Sequence, residues 1–451
     1  MSALFTDFYE ITMARAYRAH SMKGDAVFSL FVRKLPQHRN FMIACGLDDL
    51  LQAVDDFRFD DEDIRYLATL GPFEADFLEW AKAFRFSGEI RAVPEGTPVF
   101  GNEPIVEIRG PIAEAQLLET LALNIVSFQT SIASKAARIV SAAQGRPITD
   151  FGGRRAHGRE AAIMGARAAY VAGVTATSNV EAGRAYGIPV AGTMAHSFVQ
   201  AFPSEIDAFR AISSVVPDIA LLVDTYDTMG GVETVIALAR ERGLDFKIRA
   251  IRLDSGDLLA LSQQARGRLD AARLEGVAIV ASGGMNEWQI DRLLMGGAPI
   301  DAFGVGTDMI VSTDAPSLDI AYKLTDYEGR GRLKMSAGKE TLPGPKQVFR
   351  RFSNGIAVGD TIALATEEGA GPNDAGDPLL RPVMTGGRRT AHLGMEREPI
   401  SDIRARAQAL VDTLPDRLRR LAPADSPYPV AVSADLKRYQ GEIRDSILHG
   451  R

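Results

Sequence analysis

The sequence predicts an α/β protein: an irregular α/β barrel of parallel strands, preceded by an N-terminal α+β domain with an antiparallel β meander and followed by a mostly helical C-terminal extension. Three observations carry that expectation. From Pro147 onward, short apolar runs alternate with helical stretches, and each run ends in polar or glycine-rich residues. Between Phe84 and Arg109, β-prone runs are separated by Pro-Glu-Gly and Gly-Asn-Glu-Pro turns, the pattern of a meander. From about Ser401, charged amphipathic helices close the chain. The expected boundaries are 1–113, 114–328 and 329–451, with the last segment packing back on the first.

Taken in order, residues 7–19 read as an amphipathic helix with Ile11, Ala14 and Tyr17 on one face and Thr6 or Asp7 as cap. A strand is expected at 26–32 and a helix near 46–54. After the meander, Leu117, Leu121, Ile125, Ile132 and Ile139 fall at helical spacing, in one long helix or two joined ones. The run ends that follow are 148–155, 175–179, 188–197, 219–227, 247–257, 277–287 and 300–308. In such barrels the chemistry sits at the carboxyl ends of the strands, where these clusters fall. Residues 329–350 are rich in Gly, Lys and Arg, and 366–377 reads as an exposed loop.

Composition narrows the class. The 451 residues carry a formal net charge of -7, which argues against a general nucleic-acid binder but leaves room for small anionic ligands. Cys45 is the only cysteine, so internal disulfides and thiolate-rich zinc sites are ruled out and a reducing compartment is expected. No apolar run approaches the roughly 20 residues of a membrane span, and the first residues lack a signal-peptide pattern. A cytoplasmic protein without nucleic-acid or membrane partners is the expectation.

Two glycine turns are the clearest chemical feature. Ser282, Gly283 and Gly284 follow one apolar run, and Gly304, Gly306 and Thr307 close another. Glycine lets backbone N–H groups approach a phosphate, and a following helix N-terminus adds partial positive charge. One such turn alone merely connects strand to helix. Asp224 and Asp254 end neighbouring runs, suited to ribose hydroxyls, water-held Mg²⁺ or the orientation of a histidine, whereas Asp227 and Asp257 are better placed as helix caps. Arg252, two residues before Asp254, points to the same side of its strand and suits an anion or a structural ion pair. His196 shows no metal-ligand spacing with the other histidines; general acid–base work, phosphoryl acceptance and a structural role all remain open. Arg154 and Arg155, with His157 nearby, form a second candidate anion clamp.

At this point the sequence resembles the nicotinate phosphoribosyltransferase family, of the barrel-type (type II) phosphoribosyltransferase fold. The match runs through TDFYEITMA (6–14), DFGGRRAHG (150–158), GTMAHSFVQAF (192–202), VDTYDT (223–228), IRLDSGDL (251–258), ASGGMNE (281–287), GVGTD (304–308) and KETLPGPKQVFR (339–350). The resemblance implies an enzyme of NAD biosynthesis and salvage. It would join nicotinate to phosphoribosyl pyrophosphate (PRPP), giving nicotinate mononucleotide and pyrophosphate, with Mg²⁺ and coupled ATP hydrolysis. It implies that ATP phosphorylates His196, that Asp224 stands near it, and that Phe151 stacks on the pyridine. It implies a homodimer with a shared active site, Tyr9 coming from the neighbouring subunit. Arg154 and the two glycine turns match phosphoribosyl-binding residues, while Arg252 and Asp254 match positions near the pyridine substituent and the ribose. Ser178 matches a position that is acidic in nicotinamide-using relatives; an acid there would repel nicotinate. Lys339 and Lys346 are candidates for ATP.

Departures are few. The cysteine-rich zinc element of some members cannot be built from Cys45, and the linear PRPP motif of the other phosphoribosyltransferase fold is not evident. The rival readings are a transferase for nicotinamide or quinolinate, and a catalytically silent nucleotide-binding barrel. Intact His196, Asp224, Asp254 and both turns argue against the silent barrel.

Overall fold

The computed structural model of the chain describes residues 2–71, 73–336, 340–367, 376–390 and 398–450. The chain divides into two compact units, one of residues Ile132–Pro316 and one built from the residues up to Ser131 together with those from Ser317. Lys339 and most of the expected loop at 366–377 lie outside the described residues.

The Ile132–Pro316 unit is the irregular α/β barrel. Its six strands are β1 (Ile148–Asp150), β2 (Ala176–Thr177), β3 (Ala220–Leu222), β4 (Ala250–Leu253), β5 (Ala278–Ala281) and β6 (Ala302–Val305). They lie side by side in the order β2-β1-β6-β5-β4-β3, all parallel, with a helix in every connection. Parallel strands need such crossovers, and with helices covering them the strands become apolar runs rather than alternating ones. That is why the apolar runs were legible. Six of the seven run ends close a strand. The seventh, 188–197, makes only an isolated parallel bridge from Val190 to Thr177; the chain then continues as a loop to the short helix His196–Gln200. His196 therefore opens a helix after a loop and does not sit directly at a strand end.

Asp227 and Asp257 cap their helices as expected, accepting from the backbone N–H of Gly230 at 2.6 Å and of Ala260 at 3.2 Å. The helix Glu287–Met295, which follows β5, is anchored at its first residue. Buried Glu287 pairs with Lys135 at 2.7 Å and with Arg138 at 3.0 Å, both from the helix Glu119–Ala142.

The other unit holds a seven-stranded antiparallel sheet. In it the strand Asp25–Lys34 is flanked by Asp319–Tyr327 and Pro104–Pro111. Glu89–Ala92 pairs with Pro104–Pro111, while Pro98–Val99 leaves this sheet to pair with Met42–Ile43. The meander is thus present, with its middle strand diverted. The first helix is Phe8–Ala19, burying Ile11 and Ala14; Asp7 stands at its N-cap without a side-chain cap bond, and Thr6 donates to Glu10 instead. The stretch after Pro111 resolves into two helices, Ile112–Gln116 and Glu119–Ala142.

The strand Asp319–Tyr327 belongs to this sheet, so the barrel unit ends before it, at Pro316 and not near 328. Periodicity cannot reveal that, because the partner strand lies almost three hundred residues away. The C-terminal segment has the expected helices, Ile400–Asp412 and Ala434–His449, and more strand than its sequence suggested. Lys346–Ser353, Ile356–Leu364, Val430–Val432 and Asp377–Pro378 form a four-stranded sheet. Across it, buried Arg350 grips Asp360 through Nε at 3.0 Å and Nη2 at 2.6 Å. Among the described residues, no helix is long and apolar enough to cross a membrane.

Candidate active site

The carboxyl end of the parallel sheet gathers most of the residues singled out from sequence. Arg252, on β4, is the hub. Its Nε donates to Ser282 Oγ at 2.7 Å, Nη1 to Thr193 Oγ1 at 2.9 Å and Nη2 to Asp254 Oδ1 at 2.5 Å. The guanidinium carbon stands 5.2 Å from the centre of the Phe151 ring, within range of a cation–π contact. Among the described residues three of the five guanidinium donors are thus committed, which leaves two for a ligand.

Asp254 also accepts from Ser282 Oγ. Burial pushes the Asp254 carboxyl up, but the Ser282 bond, the Arg252 guanidinium and nearby His196 outweigh it, and its pKa lies below the ordinary aspartate value. Its charge is therefore kept at neutral pH. Asp224, at the end of the neighbouring strand, accepts through Oδ2 from Asp254 N–H at 3.0 Å and Ser255 Oγ at 2.6 Å. Its buried Oδ1 has no hydrogen-bond partner among the described residues. A buried carboxylate oxygen left unmet is costly, so a ligand, water or cation there has a reason to bind. Half-buried His196 contacts Thr225 Oγ1 through Nδ1 at 3.2 Å.

The two glycine turns differ. Gly283 and Gly284 both have left-handed backbone, φ +80° and +64°. Gly283 also lies against Asp254: a Cβ there would stand 1.8 Å from the Asp254 carbonyl oxygen, whereas at Gly284 it would meet nothing within 4 Å. In the second turn, buried Gly304 leaves its bare Cα to the Phe151 ring, which a Cβ would meet at 2.3 Å. Its glycine is thus explained by ring packing, while Gly306 and exposed Thr307 remain open to a ligand. The helix that follows, Thr307–Ile310, is a single turn and adds little dipole, in contrast to Glu287–Met295 after the first turn.

Phe151 is held by its own N–H donating to Val305 O at 2.8 Å. Beneath it, buried Asp150 accepts from Gly152 N–H and from Thr177 Oγ1, each at 2.8 Å; burial raises its pKa and those two bonds oppose the rise. Ser178 follows β2, exposed, with its N–H on the Asp150 carbonyl at 2.9 Å. Arg154 and Arg155 sit exposed on a short 3₁₀ turn, and His157 is exposed as well.

Sequence reasoning missed Thr193, Thr225, Asp150 and Asn286. Hydroxyl and amide side chains in loops look like ordinary turn chemistry until their long-range partners are known. In the other unit, Tyr9 is 44% exposed in the first turn of the opening helix, near exposed Phe5 and Phe8. Burial, then the Glu119 and Glu10 carboxylates, push its pKa up and keep the phenol protonated. Lys346 does not suit ATP: it is buried, its ammonium donates to Gly344 O at 2.6 Å and Leu342 O at 3.3 Å, and it pairs with Glu107 at 3.3 Å. That unit also has a cavity of about 890 Å³ beside Arg33, Arg39 and Tyr428, whose Arg33 is paired with Asp319 at 2.7 Å.

Parallel strands with polar groups gathered at their carboxyl ends place the protein in the α/β-barrel class. Comparison with known proteins narrows that class. The profile of the nicotinate phosphoribosyltransferase (NAPRTase) N-terminal domain matches residues 4–127, and that of the NAPRTase family matches 147–342. The nicotinate phosphoribosyltransferase pncB2 of Mycobacterium tuberculosis is 52% identical, over 98% of this chain and 93% of its own. That of Bacillus subtilis is 42% identical, over 81% and 77%. The crystal structure of human nicotinic acid phosphoribosyltransferase superposes with a TM-score of 0.84 at 30% identity, covering 97% of this chain and 99% of its own. The chain belongs to the nicotinate phosphoribosyltransferase family.

Proposed function

We propose that the protein joins nicotinate to PRPP, giving nicotinate mononucleotide and pyrophosphate, and that ATP hydrolysis is coupled to the transfer through phosphorylated His196. The observation that carries this reading is Arg252: a guanidinium with two donors left over, standing over an aromatic ring and one strand from a two-glycine turn. Phe151 offers the pyridine an aromatic surface, and Arg252 offers its carboxylate a forked partner. Uncharged Ser178 adds no repulsion against that carboxylate.

Backbone N–H groups of Gly283, Gly284, Gly306 and Thr307, with Arg154, hold the phosphoribosyl group, and ionised Asp254 takes the ribose hydroxyls. As the bond from the anomeric carbon to pyrophosphate breaks, positive charge builds on the sugar while the pyridine nitrogen attacks from the other face. Fixed orientation supplies much of the rate. The carboxylate oxygens of Asp224 and Asp254 are hard donors that suit Mg²⁺ held through water, and the unmet Oδ1 of Asp224 fits that role. When bound, Mg²⁺ would neutralise charge on the departing pyrophosphate.

With Nδ1–H donating to Thr225, the Nε2 lone pair of His196 is the nucleophile towards the ATP γ-phosphorus. The P–N bond forms as the bond to ADP breaks, and water later returns inorganic phosphate. The coupling orders the phosphate site and takes no part at the anomeric carbon. A homodimer in which Tyr9 of the partner subunit completes the site accords with the exposure of Tyr9.

The test is a substrate panel of nicotinate, nicotinamide and quinolinate with PRPP, with and without ATP. Nicotinate mononucleotide is expected from nicotinate, faster with ATP; no product from any of the three overturns the proposal. His196→Ala is expected to lose ATP stimulation and ATPase activity while slow transfer persists. ATP stimulation that survives the substitution removes His196 from the coupling.

A further inference from the structure

The geometry points to Asn286 and Asp308 as a positioning pair that holds the two glycine turns in register for one phosphate-bearing ligand. Asn286 lies two residues after Gly284, and Asp308 two residues after Gly306. The Asn286 side chain works in both directions. Its Oδ1 accepts from Gln289 N–H at 2.9 Å and caps the helix Glu287–Met295, while its Nδ2 donates to Asp308 Oδ2 at 2.5 Å. The bond joins residues 22 apart in sequence, across the two loops that leave neighbouring strands β5 and β6.

The two turns are not equally anchored. The first leads into a helix whose opening residue, Glu287, is buried and gripped by Lys135 and Arg138. The second leads into one helical turn, and the ion pair that follows it, buried Lys135 with exposed Asp314 at 2.9 Å, lies six residues beyond Asp308. The Asn286–Asp308 bond therefore refers the less anchored turn to the anchored one. Backbone N–H groups from two loops grip one phosphoryl-bearing molecule only when their spacing is fixed beforehand, because ordering a loop on binding subtracts from affinity. Neither side chain needs to touch the ligand for this to hold.

The inference rests on the proposed PRPP-dependent reaction for its kinetic readout, and binding of PRPP without turnover supplies a second one. Asn286→Ser keeps a capping oxygen but loses the amide donor. It is expected to raise KM for PRPP and weaken calorimetric PRPP binding about tenfold, the worth of one hydrogen bond to a charged partner. KM for nicotinate should stay within about twofold, since Arg252 and Phe151 are untouched. Asn286→Asp sets two carboxylates face to face and should be worse.

The double variant Asn286→Asp with Asp308→Asn reverses donor and acceptor, keeps the cap, and should restore PRPP affinity. A merely structural role would move both substrates together, whereas the positioning role moves PRPP alone. Unchanged PRPP binding in Asn286→Ser, or no recovery in the reversed pair at an unchanged melting temperature, overturns the inference. If the parent protein binds PRPP but forms no nucleotide, the proposed reaction fails, and the binding series still decides the pair. If the parent does not bind PRPP at all, both fall.

Discussion

Gly283→Ala is expected to abolish most activity, lowering kcat/KM at least about a hundredfold, the penalty for displacing reacting groups by an ångström. Two costs coincide at this position. Its φ of +80° is a conformation that side-chain-bearing residues adopt at about 1–2 kcal/mol. The larger cost is contact: the new Cβ would stand 1.8 Å from the Asp254 carbonyl oxygen, so either the turn or the end of β4 must shift. Each carries proposed site residues, Gly283 and Gly284 on one side, Arg252 and Asp254 on the other. Gly284→Ala is the control, with a similar φ of +64° and open space around its Cβ. It adds a methyl to the same turn without the contact against Asp254, so the difference between the two variants reads that contact. Steady-state kinetics of the two variants make the comparison, and equal losses would refute the contact argument.

Arg350→Met is expected to destabilise the unit that contains it by about 3–5 kcal/mol, the cost of leaving a buried charge without its partner. The Arg350 side chain is 1% exposed and that of Asp360 is fully buried. Arg350 also donates to the Pro98 carbonyl at 2.8 Å and lies 5.5 Å from the Phe100 ring and 5.8 Å from that of Tyr428. Without it, Asp360 keeps the Tyr428 hydroxyl at 2.8 Å and a hydrogen bond with Glu103, whose own carboxyl is driven far above its usual pKa by burial and by Asp360. The double variant Arg350→Met with Asp360→Leu should recover much of the loss, because the pair's desolvation then disappears with its attraction. Urea unfolding of the three proteins is the measurement. A single variant as stable as the parent would falsify the argument.

Much of the barrel was legible because its signals are local. A parallel strand covered by helices is an apolar run, and the residue that ends it sits at the functional edge of the sheet. The division of labour among the aspartates followed from position alone: Asp227 and Asp257 cap helices, while Asp224 and Asp254 turn towards Arg252, Ser255 and Ser282. Where local signals failed, the cause is equally clear. The run at 188–197 has a strand's composition but makes one bridge, because its chain continues as a loop in which Thr193 meets Arg252. Gly304 looked like a phosphate-turn glycine, yet the Phe151 ring already explains its missing side chain.

The neighbouring letters alone specify the six parallel strands of the barrel with their crossover helices, the glycine turns, and which polar residues end those strands. Hydrophobic period and turn chemistry act over a few residues, so they are written in the neighbouring letters. Three features emerge only in the folded chain: Arg252 is clamped by Thr193, 59 residues away, Asn286 ties one turn to the other, and Asp319–Tyr327 joins the antiparallel sheet. Those contacts depend on where distant segments meet in space, and the spacing between such segments leaves no periodic trace.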